Sequence, residues 1–245
     1  VSPYNFVQNN PIKRIDPTGA LDDWVESADG EIYWDENATS QATTKEGETY
    51  LGKNVLVGTH NRDASGNEEI NTAQFDLYLE SDKTGPSATI MGNTVPADPT
   101  KSGTLAEGLY SAKFGHRNKE KYKNELALRI YNLDGSDGLL TVYGNPSKAN
   151  SDLLTGVLFH MGNNYQKSLY DSRGNAYSHG CQTGGNYPGS HADHNAFMKV
   201  AGKDFNGSYY LRAKPVIQPV KSFNLTLPIL TTPIDNTYVA PLYRF

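Results

Sequence analysis

The sequence predicts a mainly β protein: a β-sandwich or barrel with one or two short helices. Three observations predict it. Strand-like runs recur at short intervals from residue 73 onward, Gly, Asn, Asp and Pro punctuate them, and only one stretch shows helical spacing. The chain has 245 residues, enough for one large domain or a domain with an appendage.

The first 20 residues contain two turn signals, Asn10-Pro11 and Asp16-Pro17-Thr18-Gly19. The string Tyr4, Asn9-Asn10-Pro11-Ile12, Ile15-Asp16-Pro17 and Gly19 resembles the end of the core of Rhs and YD-repeat proteins. In that family it stands just before a variable toxin domain. The resemblance implies that Val1 lies inside a longer polypeptide, cleaved near Asp16-Pro17.

Residues 21–72 are polar and acidic, with turns at Asp29-Gly30, Glu46-Gly47 and Ser65-Gly66-Asn67. Their short apolar pieces, 32–34 and 55–57, read as brief strands in a weakly structured adaptor. Residues 73–245 read as the main domain with a tail. Phe75, Leu77 and Leu79 alternate with polar or outward neighbours, as in a half-buried strand. Further strands are expected at 88–91, 108–114, 126–131, 139–143 and 156–160. Ser190-His191-Ala192-Asp193 resembles a helix N-terminal capping box, with the shorter Asp in place of Glu or Gln. Phe197, Val200 and Ala201 follow at helical spacing, and Gly202 offers a stop. Beyond Tyr209-Tyr210-Leu211 the chain is rich in Pro and Thr, suited to edge strands or a wrapping tail. There is no internal repeat.

The formal net charge of −5 opposes binding to nucleic acid phosphates, which Lys and Arg must neutralise. No apolar run of about 18 residues exists, so no transmembrane helix is expected. The first residues lack the apolar stretch of a signal peptide, so export is expected to depend on a carrier. One cysteine excludes an internal disulfide and a multi-cysteine zinc site.

That cysteine, Cys181, sits in the Gly-rich stretch Ser178-His179-Gly180-Cys181-Gln182-Thr183-Gly184-Gly185. A polar, Gly-rich loop is a poor place for a buried filler, so a reactive thiol is the better reading. His160 ends the apolar run Leu158-Phe159 and is followed closely by Gly162. A thiol that attacks a carbonyl needs a base and N–H groups for the oxyanion. His160 suits the base, and as an imidazolium it would lower the thiol's pKa. The N–H groups of His179, Gly180 and Cys181 suit the oxyanion. Gly180 leaves room for a substrate.

The His followed by Ser-His-Gly-Cys resembles the L,D-transpeptidases, the YkuD fold. Gly103-Thr104-Leu105-Ala106-Glu107-Gly108-Leu109-Tyr110 loosely matches an upstream strand of that family, so the resemblance runs from about residue 73 to 214. It implies Cys181 as nucleophile, His160 as base, His179 lining the site and Ser178 bracing the loop. Gly162, Asn163, Gln182 and Thr183 are then expected around the substrate. Met161 after the His, and Gln182-Thr183 after the Cys, depart from the family pattern.

The resemblances together imply a secreted effector acting in the periplasm of a target bacterium. Its substrate would be the tetrapeptide stems of peptidoglycan, and no metal or organic cofactor is required. The implied partners are the parent Rhs core, a secretion apparatus such as type VI, and a cognate immunity protein. Two rival readings remain: a cysteine peptidase or amidase on another peptide, and a non-catalytic wall-binding module. His191 and His194 read as a helix surface, or with His160, His179 and Cys181 as zinc ligands, though no zinc spacing is matched. His60 and His116 have no evident partners.

Overall fold

Alternation of inward and outward side chains along successive strands closes the protein into a barrel. The computed structural model describes residues 22–62, 72–96, 103–117, 124–142, 153–162, 178, 180–185 and 190–214, the side chains of 142, 190 and 191 excepted. The N-terminal string at 1–20, Asn163, His179, the His191 side chain and the tail beyond 214 lie outside them.

In chain order the strands are β1 (Asp23–Glu26), β2 (Ile32–Asp35), β3 (Thr49–Gly52), β4 (Val55–His60), β5 (Ala73–Tyr78), β6 (Ala88–Asn93) and β7 (Thr104–Leu105). They continue as β8 (Gly108–His116), β9 (Leu126–Tyr131), β10 (Leu139–Val142), β11 (Leu153–Leu154), β12 (Leu158–Met161), β13 (Gln182–Gly184) and β14 (Asn206–Ala213). One helix, α1 (Ser190–Ala201), precedes β14. The protein is mainly β, and its closed barrel runs β12-β13-β6-β5-β4-β14-β8-β9. Most neighbours are antiparallel, but β12 pairs with β13, and β4 with β14, in parallel.

The barrel interior is apolar. Leu56, Phe75, Leu128, Phe159, Tyr209 and Leu211 are buried in its core. Phe159 meets the Phe75 ring at 4.8 Å and the Phe197 ring at 5.6 Å between centroids. Phe197, Met198 and Ala201 seat α1 on this core, and the helix packs against β6, β9 and β12. Gly202 ends α1 at φ +78, a conformation that glycine adopts without a Cβ clash, and its N–H bonds the Met198 carbonyl at 3.1 Å.

The segment 21–72 differs from the weakly structured adaptor expected of it. Its strands β2-β1-β3 form a sheet. Trp24 and Leu51 of that sheet pack with Val55, Val57 and Tyr78. β4 itself is a barrel strand between β5 and β14. The run Val55-Leu56-Val57 is apolar on both faces because Leu56 joins the inner core while Val55 and Val57 face the small sheet. Barrel pairing therefore crosses the boundary expected at residue 72. A third sheet, β11-β10-β7, adds Leu105 and Leu139 to the inner core.

Closure depends on one close approach. At Gly92 a Cβ would stand 2.0 Å from the Thr183 carbonyl oxygen and 2.7 Å from the Phe75 ring. Only a residue without a side chain lets β6 pair with β13 there. Gly92→Ala should lose on the order of 3 kcal/mol of stability in urea unfolding, as an overpacked interior does. Gly85, where an added Cβ would meet nothing within 4 Å, is the control. Gly85→Ala should stay within about 0.5 kcal/mol of wild type.

Candidate active site

β12 carries the four buried residues Leu158–Met161. Phe159 points into the core, so His160, its neighbour along the strand, points to the outer face. Across that face His160 stands opposite Ala127 of β9 and Thr183 of β13. Cys181 directly precedes β13, two residues before Thr183. It stands at the entry to the strand that pairs with the His160 strand.

His160 is almost fully buried, and its Nδ1 lies 2.5 Å from the Met161 carbonyl oxygen. A carbonyl only accepts, so Nδ1 carries the proton and Nε2 carries the lone pair. Burial pushes the ring's pKa down from the ordinary 6.5 to about 3. The Arg117 guanidinium pushes the same way, as does His194, while the Met161 carbonyl opposes them. Arg117 is itself held by Glu125, Nη1 to Oε2 at 2.9 Å. His160 is thus a neutral imidazole at neutral pH. His160 therefore does not rest as the imidazolium expected from the sequence. A lone imidazolium is disfavoured here and becomes tolerable only when negative charge forms beside it.

Cys181 is partly exposed. Ser178 Oγ donates to the Cys181 carbonyl at 2.6 Å, bracing the turn. Gly180 adopts φ +111, and a Cβ on it would meet Leu154 at 2.9 Å and the Gly103 carbonyl oxygen at 3.0 Å. The room at Gly180, expected for a substrate, is filled by the protein itself. Gln182, expected at the substrate, instead points into the barrel, where it is fully buried and accepts a hydrogen bond from Tyr209 Oη at 2.9 Å. Its position in β13 next to the outward Thr183 dictates this. Thr183 is buried beside His160, and its Oγ1 finds no hydrogen-bond partner among the described residues. Gly162 is buried and bonds the Gly184 carbonyl through its N–H at 3.4 Å.

His194, read from sequence as a helix surface residue, is fully buried, its Nε2 3.2 Å from the Leu126 carbonyl and its ring 5.4 Å from Phe159. His60 does have a partner: its Nε2 lies 2.9 Å from Glu107, which also pairs with Arg62. Among the described residues no group of three or more His, Cys, Asp or Glu is placed to hold a metal ion. Nor is any helix among them long and apolar enough to cross a membrane.

No protein family, curated protein or solved structure matches the chain. The site is therefore read from its own geometry. Sequence reasoning missed Arg117, Glu125 and Tyr209, because each reaches the site only through strand pairing. Tyr209 lies 27 positions from Gln182, with no local signal joining them.

The depressed pKa of His160 has a measurable consequence. Between about pH 6.5 and 3 the unfolded chain takes up a proton on this ring and the native chain does not. Stability should therefore fall as pH drops through that window. His160→Gln removes the titrating group. Urea unfolding at about pH 7, 5 and 4 should show a shallower acid loss in the variant than in wild type, by several kcal/mol across the window.

Proposed function

We propose that the chain is a cysteine acyl-transfer enzyme of the L,D-transpeptidase kind, acting on the tetrapeptide stems of peptidoglycan as the toxin end of an Rhs-type protein. The observation that supports this reading is the parallel pairing of β12, which carries a neutral His160, with β13, whose first residue directly follows Cys181. The N-terminal string at residues 1–20 and the Ser178-His179-Gly180-Cys181 motif support the delivery and the substrate class.

In the proposed reaction the Cys181 proton passes to His160 Nε2 as Sγ bonds the carbonyl carbon between the L-centre of diaminopimelate and the terminal D-alanine. The carbonyl oxygen takes negative charge, which makes the buried imidazolium tolerable. The C–N bond then breaks, His160 returns the proton to the departing amine, and D-alanine leaves. The thioester next meets water, giving a carboxypeptidase, or an amine, giving exchange or a crosslink. His160 accepts that nucleophile's proton and delivers it to the Cys181 sulfur. Shortened stems cannot donate to crosslinks, which suits an antibacterial role in the periplasm, with an immunity protein guarding the producer.

Cys181→Ala should abolish toxicity and leave the fold intact, since a partly exposed thiol adds little to the core. Toxicity should require export to the periplasm. The checks are growth of bacteria expressing each form with and without a signal peptide, and circular dichroism of the variant. Toxicity surviving in folded Cys181→Ala would contradict the mechanism. Equal toxicity from the cytoplasm would favour a peptidase acting on another target.

A further inference from the structure

We infer that Tyr209 is a positioning residue for the nucleophile, acting through Gln182; the inference rests on the acyl-transfer reading of Cys181. Gln182 directly follows the cysteine and is the first residue of β13. Its side chain is fully buried, on the same inner face as the apolar core residue Phe159 with which it pairs. A buried amide costs stability unless its polar atoms are bonded. Tyr209 meets that demand from β14, donating its hydroxyl to Gln182 Oε1 at 2.9 Å. The amide nitrogen turns back to the Gly180 carbonyl at 3.5 Å, a weaker contact. The residues on both sides of Cys181 are thereby tied to one side chain, and that side chain to the far wall of the barrel.

The barrel is shaped around this contact. Gly58 lies within β4, and a Cβ there would stand 2.6 Å from Tyr209 Oη and 3.0 Å from the Phe75 ring. A larger residue at position 58 would evict the hydroxyl. Tyr209 stands opposite Tyr110 of β8 and Leu56 of β4, which fix its ring within the core. The contact is thus held from two strands that carry none of the reacting groups. It fixes where β13 starts, and so where the thiol stands relative to His160. Ser178 braces the same turn from outside through the Cys181 carbonyl.

Tyr209→Phe keeps the ring and removes only the hydroxyl. The variant should fold, with the near-ultraviolet signal of Trp24 and Trp34 unchanged. Alkylation of Cys181 by iodoacetamide should speed severalfold across the pH range, because the loosened turn exposes the partly buried thiol. Turnover of tetrapeptide stems should lose on the order of tenfold in kcat with KM held, because the misplaced thiol loses its base in the acylation step. Gln182→Met, similar in length, breaks the same contact from the other end. The double variant should lose little beyond either single one, since both remove one interaction. An unchanged alkylation profile in the folded variants overturns the inference. A raised profile in a protein that turns over no stems upholds the positioning role and counts against the substrate reading instead.

Discussion

The arrangement of the site depends on the parallel pairing of β12 with β13. Antiparallel neighbours can be joined by a tight turn, but a parallel neighbour requires the chain to cross back before it re-enters the sheet. That return sets Phe159 beside Gln182, His160 beside Thr183 and Met161 beside Gly184. A slip of one residue would turn Gln182 outward and swing Cys181 toward the core. Three features hold the register: the glycine at position 92 that admits the Thr183 carbonyl, the hydroxyl of Tyr209 on Gln182, and the Ser178 bond to the Cys181 carbonyl.

The sheet then separates two kinds of chemistry. Its inner face is largely apolar, with Gln182 bonded to Tyr209 within it and α1 seated by Phe197 and Met198. Its outer face carries His160 and Thr183, and Cys181 directly precedes the strand of Thr183. His160 is nevertheless nearly without solvent, and this explains its behaviour. Desolvation and the neighbouring Arg117 resist a positive charge on the ring. A base in that setting stays idle until an anion forms next to it. In the proposed reaction the proton transfer from Cys181 is thereby tied to a bound carbonyl.

Much of the barrel was legible in the sequence because local patterns carried it. The period-two run at 75–79 and the apolar stretches at 126–131 and 156–160 coincide with β5, β9 and β12. Gly202 does end α1. β13 was not legible, since Gln182-Thr183-Gly184 reads as loop when its partners are unknown. Nor was the inward turn of Gln182, which depends on the parity of a pairing far away in sequence. β4 was read too weakly because Val55-Leu56-Val57 has no alternation; both of its faces are covered. His194 looked like a surface residue for a related reason: the apolar surroundings that bury it, Phe159 and the start of β9, come from other parts of the chain.

The account stands on a single covalent event at Cys181. The most direct measurement is the intact mass of the protein during brief incubation with purified tetrapeptide stems, followed by peptide mapping of any adduct. The account predicts a stem acyl group on Cys181, formed with release of D-alanine, and little adduct in His160→Ala. No adduct and no released D-alanine from a folded wild-type protein, or an adduct on a residue other than Cys181, would contradict it.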